Sequence, residues 1–126
     1  MALDPHNLLS KVHPDLVKVM EVVSQSQPFF ICQGLRTVAQ EHVAVATGHS
    51  QTMHSRHLPD AQGFACAVDV ACLVDGHVSW DAAPYKVVAG NVFIAARHLS
   101  IPVEWGGDWK SLKDWGHFQL PWEQYP

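Results

Sequence analysis

The sequence predicts an α+β fold in which about three helices accompany a small antiparallel sheet. Apolar residues recur at helical spacing in separate segments, and short apolar runs lie between them. The dipeptide Asp75-Gly76 joins two further strand-like runs and is a strong signal for a two-residue type I′ hairpin turn. The resulting order of helix, strand, helix, hairpin, helix and two strands is typical of the α+β class.

The N-terminal part of the chain is predicted to form one amphipathic helix and one strand. Pro14 suits the first turn of a helix that extends to about Gln25. Its inward stripe consists of Leu16, Val19, Met20 and Val23. The apolar run at residues 29–32 follows Pro28 and is predicted to be a buried strand.

A second helix is signalled at both of its ends. Thr37 and Gln40 form a capping-box pattern, and the helix is predicted over Val38–Ala46 with Gly48 ending it. Residues 48–63 are polar and rich in turn formers, so we expect a long exposed loop there. Long loops in compact domains usually carry function.

The remaining elements follow the loop. Residues 66–74 and 77–80 are predicted as the two strands of the Asp75-Gly76 hairpin. Asp81 is placed to cap a third helix over Ala82–Leu99, which Pro102 stops. Its predicted inward stripe is Tyr85, Val88, Val92, Ala95, Ala96 and Leu99. A short strand at residues 103–105, a turn at residues 106–107, a loop and a strand around His117 complete the chain.

Length and composition restrict the class of protein. The 126 residues predict a single domain, 1–126, and 48% apolar residues are typical of a globular chain. A net charge of -4 without any Lys/Arg run argues against nucleic-acid binding. No segment is apolar for long enough to span a bilayer, and no secretory signal is visible at the start, so we expect a cytoplasmic chain without stable membrane association. Cys32, Cys66 and Cys72 are expected to be buried thiols.

Two histidines and one aspartate form a candidate metal site. His57 precedes a predicted strand that contains Asp69, and His117 lies in a separate strand. Two nitrogens, one oxygen and an open fourth position suit a catalytic zinc site, in which the metal lowers the pKa of a water to about 7. In the strand, Ala65, Ala67, Asp69 and Ala71 share a small-sided face, and Gln119 shares a face with His117.

Two further residues could take part in hydrolysis at such a site. Asp114 precedes His117 by one short turn and could accept a proton from a water and pass it to a leaving amine. Arg36 stands just before the second helix and could supply a positive charge to a carbonyl as it becomes an oxyanion. A simpler interpretation remains for each, since Asp114 could be a turn residue and Arg36 could only pair with a carboxylate.

Five ordered motifs resemble those of the M15 peptidases, most closely phage endolysins of the L-alanyl-D-glutamate endopeptidase type. The motifs are Gln33-Gly34-Leu35-Arg36-Thr37, Ser55-x-His57, Ala67-x-Asp69, Trp105-Gly106-Gly107-Asp108-Trp109 and Asp114-x-x-His117-Phe118-Gln119-Leu120. The resemblance extends from about Leu16 to Pro126 and implies the D-Ala-D-Ala carboxypeptidase/Hedgehog fold. It also implies Zn²⁺ at the positions of His57, Asp69 and His117, a general base at Asp114 and carbonyl stabilisation by Arg36.

The spacing of one motif departs from the family pattern Ser-x-His-x-x-Gly-x-Ala-x-Asp. Here His57 and Asp69 are further apart, and Ala65 stands where the glycine belongs, so an insertion within residues 58–64 is expected. The strand parity of Ala67 and Asp69 survives the insertion, which favours Asp69 as the ligand. Asp60 and His54 remain possible ligands in its place.

The resemblance further implies the substrate and its surroundings. It predicts cleavage between L-Ala and D-Glu in the stem peptide of bacterial peptidoglycan. Contacts with that substrate are expected from Ser55, His54, Trp109 and Trp115. The protein would act as a monomer without a cell-wall-binding domain, and would wait in the host cytoplasm until release to the cell wall at lysis.

Two other functions are compatible with the same residues. One is a D,D-carboxypeptidase or dipeptidase of the same fold, which differs only in the bond that is cut. The other is a non-catalytic zinc-binding interaction module, against which the presence of Asp114 and Arg36 argues.

Overall fold

The computed structural model describes residues 3–26, 28–48, 55–111 and 113–126. Three helices are found, α1 (Pro14–Val23), α2 (Val38–Ala46) and α3 (Ala82–Leu99). Five strands are found, β1 (Phe29–Gln33), β2 (Ala67–Val74), β3 (His77–Ser79), β4 (Glu104–Trp105) and β5 (His117–Gln119). Short 3₁₀ turns occur at Leu9–Lys11 and Gly106–Asp108. The predicted α+β class, with three helices, is confirmed.

All strand pairs in the sheet are antiparallel. The order is β1-β2-β5-β4, and β3 pairs with the far end of β2. Asp75 and Gly76 both have positive φ, at 52° and 79°, as the predicted type I′ turn requires. The central strand β2 therefore serves as the common scaffold, and residues on its neighbours meet at fixed register positions.

The hydrophobic core lies between one face of the sheet and helices α1 and α3. Alternate residues of β2 enter that core, and the helices contribute their apolar stripes. The members of the core from these elements include Leu16, Val19, Met20, Val23, Cys66, Val68, Val70, Cys72, Tyr85, Val88, Val92, Ala95 and Ala96. The opposite face of β2 carries Asp69 between small alanines, as the strand parity predicted.

The capping box of α2 is confirmed in detail. The Thr37 hydroxyl accepts a hydrogen bond from Gln40 N, and the Gln40 side chain accepts one from Thr37 N. The helix ends at Ala46, and Gly48 follows with a φ of 80°. This defined start matters for the site because Arg36 directly precedes the cap.

Several local predictions are wrong. Asp81 occupies the N-cap position of α3, but its side chain makes no capping hydrogen bond. Leu99 is 38% exposed because the buried stripe of α3 ends at Ala96. Cys32 is exposed because β1 is irregular between Ile31 and Gln33, which takes Cys32 out of the paired register.

The segment that was expected to be an exposed loop is in part buried. Arg56 and His57 are 5% and 3% exposed. Arg56 donates hydrogen bonds to the carbonyl oxygens of Leu120 and Tyr125, and its guanidinium lies 3.9 Å from the centre of the Trp122 ring. These contacts fix the segment against the C-terminal residues, so His57 has a firmly held backbone. Within the described ranges, none of the helices has the length and apolar character needed to cross a membrane.

Candidate metal centre

Strand pairing brings Asp69 and His117 together. The two residues are direct partners in the β2–β5 ladder, and Gln33 of β1 pairs with Asp69 on its other side. His117 Nδ1 lies 3.0 Å from Asp69 Oδ1. The side chains of directly opposed antiparallel residues lie on the same face, so the register alone places this pair at one point.

His57 reaches the same point from the segment before β2. Its backbone N–H donates to the Ser55 hydroxyl at 3.1 Å, and its Nδ1–H donates to the Gly34 carbonyl at 2.8 Å. The remaining ring nitrogen, Nε2, lies 3.3 Å from Asp69 Oδ1. That contact lacks hydrogen-bond geometry, and among the described residues His57 Nε2 has no hydrogen-bond partner although it is buried. Its lone pair is thus available to a metal ion.

The orientation of His117 is fixed by a short chain of side chains. Gln119 Nε2 donates to Glu104 Oε1 at 3.0 Å, which turns its amide oxygen towards the histidine. His117 Nε2–H then donates to that oxygen at 2.7 Å. Nδ1 of the neutral ring therefore carries a lone pair, and this lone pair faces a carboxylate oxygen. Such a pair requires a proton or a cation, so the arrangement fits a metal ligand.

The charges around Asp69 stabilise its ionised form. Burial opposes that form, but attraction to the imidazole rings of His57 and His117, when these are protonated, outweighs burial and holds the pKa of Asp69 well below its ordinary range. For His117, burial likewise opposes the charged form, and the hydrogen bond and charge of Asp69 raise its pKa nonetheless. A strong negative charge therefore lies between two imidazole rings.

These three residues form a group that could hold a metal ion. One ligand atom from each of His57, Asp69 and His117 lies within 4.8 Å of the others. Two imidazole nitrogens and one carboxylate oxygen are a donor set typical of catalytic zinc. The orphaned Nε2 of His57 and the lone pair of His117 that faces a carboxylate both point to the same conclusion, so the residues present fit a zinc ion.

Arg36 lies at the edge of the group. Its guanidinium donates to Glu41 Oε2 at 3.0 Å and lies 3.8 Å from Asp69 Oδ2. Glu41 is fully buried in α2, so it fixes the guanidinium from behind. The backbone N–H of Arg36 also donates to the His57 carbonyl at 2.8 Å. Arg36 thus pairs with carboxylates and also presents a fixed positive charge beside the candidate metal centre.

Asp114 faces the group from the turn that precedes β5. Its Oδ2 lies 4.0 Å from His117 Nδ1, and about half of its side chain is exposed. Burial and the nearby charge of Asp69 raise the pKa of Asp114 above its ordinary value. The carboxylate is close to the three candidate metal ligands but outside their group, where a proton acceptor would be needed.

The surrounding aromatic residues differ in their roles. The Trp109 ring lies 5.0 Å from the His117 ring and is 38% exposed. Trp115 lines a pocket of about 370 Å³ that also contains Asp69 and Asp114. Trp105 is a core residue whose indole N–H donates to the Trp115 carbonyl at 2.8 Å. Both Trp109 and Trp115 therefore lie beside the candidate site.

Residues 58–64, where an insertion was expected, form a turn closed by Asp60. Asp60 Oδ1 accepts hydrogen bonds from the backbone N–H groups of Gln62 and Phe64, both at 2.9 Å, and Oδ2 is 3.7 Å from the Cys66 sulfur. Asp60 is consequently engaged in its own loop and is not a member of the metal-binding group. His54 lies outside the described residues, as does His49. Ser55 is described, and its hydroxyl supports the His57 backbone.

Sequence patterns did not reveal four supporting groups. These are the Gly34 carbonyl, the buried Glu41, and the Glu104 and Gln119 side chains that orient His117. Strand parity already placed Gln119 beside His117, so this hydrogen bond could have been anticipated. The Gly34 and Glu104 contacts join elements that are distant in sequence, for which a single sequence carries no signal. Glu41 is close to Arg36 in sequence, but its role at the site depends on the folding that brings Asp69 to the same guanidinium.

Fold and site together define a small α+β protein with a candidate mononuclear metal centre of two histidines and one aspartate. The model of the phage L-alanyl-D-glutamate peptidase family matches residues 3–118. The chain therefore belongs to this family, and the resemblance read from its motifs is confirmed.

Relatives of known name support the assignment. The chain is 35% identical over 95 residues to the L-alanyl-D-glutamate peptidase of Listeria phage A118, which covers 75% of this chain. It spans only 31% of that relative's length. It is 31% identical over 113 residues to the L-alanyl-D-glutamate peptidase of Escherichia phage T5, with 85% of this chain and 79% of the relative covered.

A solved structure confirms the fold. The crystal structure of the Serratia marcescens L-Ala D-Glu endopeptidase ChiX superposes with a TM-score of 0.85 at 44% identity. The match covers 94% of this chain and 87% of ChiX. At this similarity the arrangement of three helices on a small antiparallel sheet is shared between the two proteins.

Gly106 offers a test of how tightly the site is packed. A Cβ on Gly106 would meet the Asp114 carbonyl oxygen and would lie 3.1 Å from His117 Cβ. We expect Gly106→Ala to lower the free energy of unfolding by about 1–3 kcal/mol and to weaken zinc binding. Gly90→Ala is the matched control, since no atom of the described residues lies within 4 Å of a Cβ there and a helical alanine should stabilise by about 0.5–1 kcal/mol. Urea unfolding and zinc titration measure both, and equal behaviour of the two variants would contradict this packing.

Proposed function

We propose that this protein is a zinc-dependent peptidoglycan endopeptidase that hydrolyses the L-Ala–D-Glu bond of the stem peptide. The observation that carries the proposal is the meeting of His57, Asp69 and His117, with available nitrogen lone pairs, beside a carboxylate outside their group. The choice of the L-Ala–D-Glu bond is supported by membership of the phage L-alanyl-D-glutamate peptidase family and by the names of the relatives.

In this proposal His57 Nε2, His117 Nδ1 and an oxygen of Asp69 would hold the zinc ion. When bound, zinc supplies Lewis acidity, which polarises a carbonyl group and lowers the pKa of a water to about 7. The Gly34 carbonyl and Gln119 keep each histidine in the tautomer whose lone pair faces the ion. The small side chains around Asp69 leave space for a substrate backbone.

Asp114 moves the proton in this reaction. Its Oδ2 accepts a proton from the attacking water as the new C–O bond forms at the alanyl carbonyl. It then delivers that proton to the nitrogen of D-Glu as the C–N bond breaks, so that the product amine leaves neutral. The raised pKa of Asp114 favours the first of these transfers, because a more basic carboxylate accepts a proton more readily.

Arg36 stabilises the charge that develops on the carbonyl oxygen. We expect Arg36→Gln to lower kcat by about a hundredfold, the scale on which one donor to an oxyanion contributes. The zinc content should stay unchanged, because the guanidinium is not part of the metal-binding group. Steady-state kinetics and metal analysis provide the measurement.

The matched control for Arg36 is Arg97→Gln, which removes the same charge from the exposed last turn of α3. It should retain wild-type turnover. Loss of zinc in Arg36→Gln would show instead that Arg36 acts by holding Asp69, from which it lies 3.8 Å.

Digestion of purified sacculi tests the function itself. The zinc-loaded protein should release peptides that begin with D-Glu, and mass spectrometry identifies the new N-terminus. Fragments cut after a D-alanine would instead show a D,D-carboxypeptidase or dipeptidase. Intact sacculi with a stoichiometric zinc ion would indicate a non-catalytic zinc-binding module.

The biological setting follows from the relatives, two of which are phage proteins. We propose that the enzyme is a monomer that remains in the host cytoplasm and reaches the peptidoglycan when another protein opens the inner membrane at lysis. Expression in host cells should therefore cause lysis only when a membrane-permeabilising protein is supplied as well.

A further inference from the structure

A pocket opens directly beside the candidate metal centre. Its volume is about 370 Å³, and Asp69 and Asp114 form part of its wall. The other lining residues are Cys32, Val70, Trp80, Tyr85, Lys113, Trp115 and Gly116. A substrate whose scissile bond lies between Asp69 and Asp114 would extend one of its two sides into this space.

Among the described residues that line this pocket, Lys113 carries the positively charged side chain. Its Nζ donates to the carbonyl oxygens of Gly107 and Trp109, at 3.0 and 3.1 Å. An ammonium group has three N–H donors, and these contacts use two of them. The side chain is thus held in place while its charge is not neutralised by either carbonyl.

A second lysine also lies near the Trp115 ring, outside the lining of the pocket. Lys86 Nζ lies 5.5 Å from the centre of the Trp115 ring, and Lys113 Nζ lies 5.7 Å from it. Both distances allow a cation–π attraction that keeps an ammonium group near the indole. Asp69 and Asp114 carry the negative charge of the pocket lining, whereas the Lys113 ammonium group provides a positive charge near Trp115.

We infer that this pocket receives the glutamyl side of the scissile bond and that Lys113 pairs with the free carboxylate of the D-glutamyl residue. The inference rests on the proposed function, which supplies a substrate with a carboxylate next to the bond. A cation placed beside the proton-transferring Asp114 distinguishes this carboxylate from a neutral group at the same position. Lys113 is therefore a specificity-determining residue in this inference.

Two otherwise identical stem peptides test the inference. One retains the free carboxylate of D-Glu, and the other carries a primary amide in its place. The zinc-loaded wild-type protein should cleave the acid with a kcat/KM about tenfold to a hundredfold above that of the amide, the range for a hydrogen bond to a charged group. Lys113→Met should reduce this preference to about one- to twofold, and Lys113→Arg should keep most of it.

The preference is the ratio of kcat/KM for the acid to kcat/KM for the amide. If Lys113→Met displaces Gly107 or Trp109 and lowers activity on both peptides equally, this ratio does not change. Lys110→Met removes an exposed charge from the neighbouring segment and should leave the ratio unchanged. If Lys113→Met is too slow to assay, calorimetry of both peptides with Asp114→Asn and with Asp114→Asn/Lys113→Met gives the same comparison as a ratio of Kd values.

Each outcome decides between the two proposals. An unchanged acid preference in Lys113→Met, or no preference in the wild type, overturns the role of Lys113 and leaves the endopeptidase intact. Failure of the wild type to cleave either peptide contradicts the proposed function, and the inference falls with it. Loss of the preference in Lys113→Met together with its retention in Lys113→Arg and Lys110→Met supports the inference.

Discussion

Asp69→Asn is expected to abolish both zinc binding and peptidoglycan hydrolysis. The substitution removes the only negative charge in the metal-binding group and places a neutral amide beside two nitrogen lone pairs. Replacing a group that merely orients a ligand already lowers metal affinity by about 10–100-fold, so loss of a ligand should exceed that. A bound metal contributes several kcal/mol of charge stabilisation, and each 1.36 kcal/mol is tenfold in rate. We therefore expect turnover to fall by at least about a thousandfold.

The control for this prediction lies at the tip of the hairpin. Asp75→Asn makes the same chemical change at an exposed residue with a φ of 52°, a conformation that asparagine tolerates. It should keep full zinc content and turnover. Elemental analysis, circular dichroism and a sacculus assay on both variants separate loss of metal from loss of fold. Full activity in a folded Asp69→Asn protein would exclude Asp69 as a ligand and would favour the alternative ligand, His54.

The period of a β-strand explains why the side chains that the strands contribute to the candidate metal centre could be assigned to one face from the sequence. Successive side chains alternate between faces, so the sequence around Asp69 already separates a small-sided face from a core face. The same rule places Gln119 with His117, and the structure has these two residues hydrogen-bonded at 2.7 Å. The alternation of side chains along β2 depends only on neighbouring residues. The unusual spacing before Ala65 therefore does not alter the face on which Asp69 lies.

Long-range contacts explain what local patterns could not supply. Arg36 and Glu41 are close in sequence and form an ion pair. The role of this pair at the site depends on Asp69, which folding brings to 3.8 Å from the Arg36 guanidinium. The burial of Arg56 depends equally on the C-terminal carbonyl groups that it binds. Neither contact leaves a periodic pattern in the sequence, so the sequence predicted an exposed loop at Arg56 and His57, which are buried.

Small irregularities of the backbone limit sequence reasoning in a second way. Apolar strand positions predict burial, and Cys32 follows two buried or half-buried phenylalanines and Ile31. A register shift between Ile31 and Gln33 nevertheless leaves Cys32 exposed beside the pocket. The shift also aligns Gln33 with Asp69, which shows that the local irregularity belongs to the geometry of the site.

Asp114→Asn is expected to stop catalysis without removing the metal. Asparagine retains the size of the side chain and the backbone contacts, in which Asp114 N donates to Gly106 O and Asp114 O accepts from His117 N. It cannot accept a proton at Oδ2, and general acid–base catalysis contributes about 10²–10⁴-fold. We therefore expect kcat to fall by this factor, KM to change little and zinc to remain near one ion per chain.

Asp108→Asn is the comparison for Asp114, because Asp108 is exposed and belongs to the 3₁₀ turn that begins with Gly106. Its turnover should match that of the wild type. Asp114→Glu should recover part of the lost rate, since the longer carboxylate can still carry a proton. Unchanged kcat in a zinc-loaded Asp114→Asn protein would remove Asp114 from the mechanism. Loss of zinc from the same variant would show that Asp114 supports the metal rather than the proton transfer, because its Oδ2 lies 4.0 Å from His117 Nδ1.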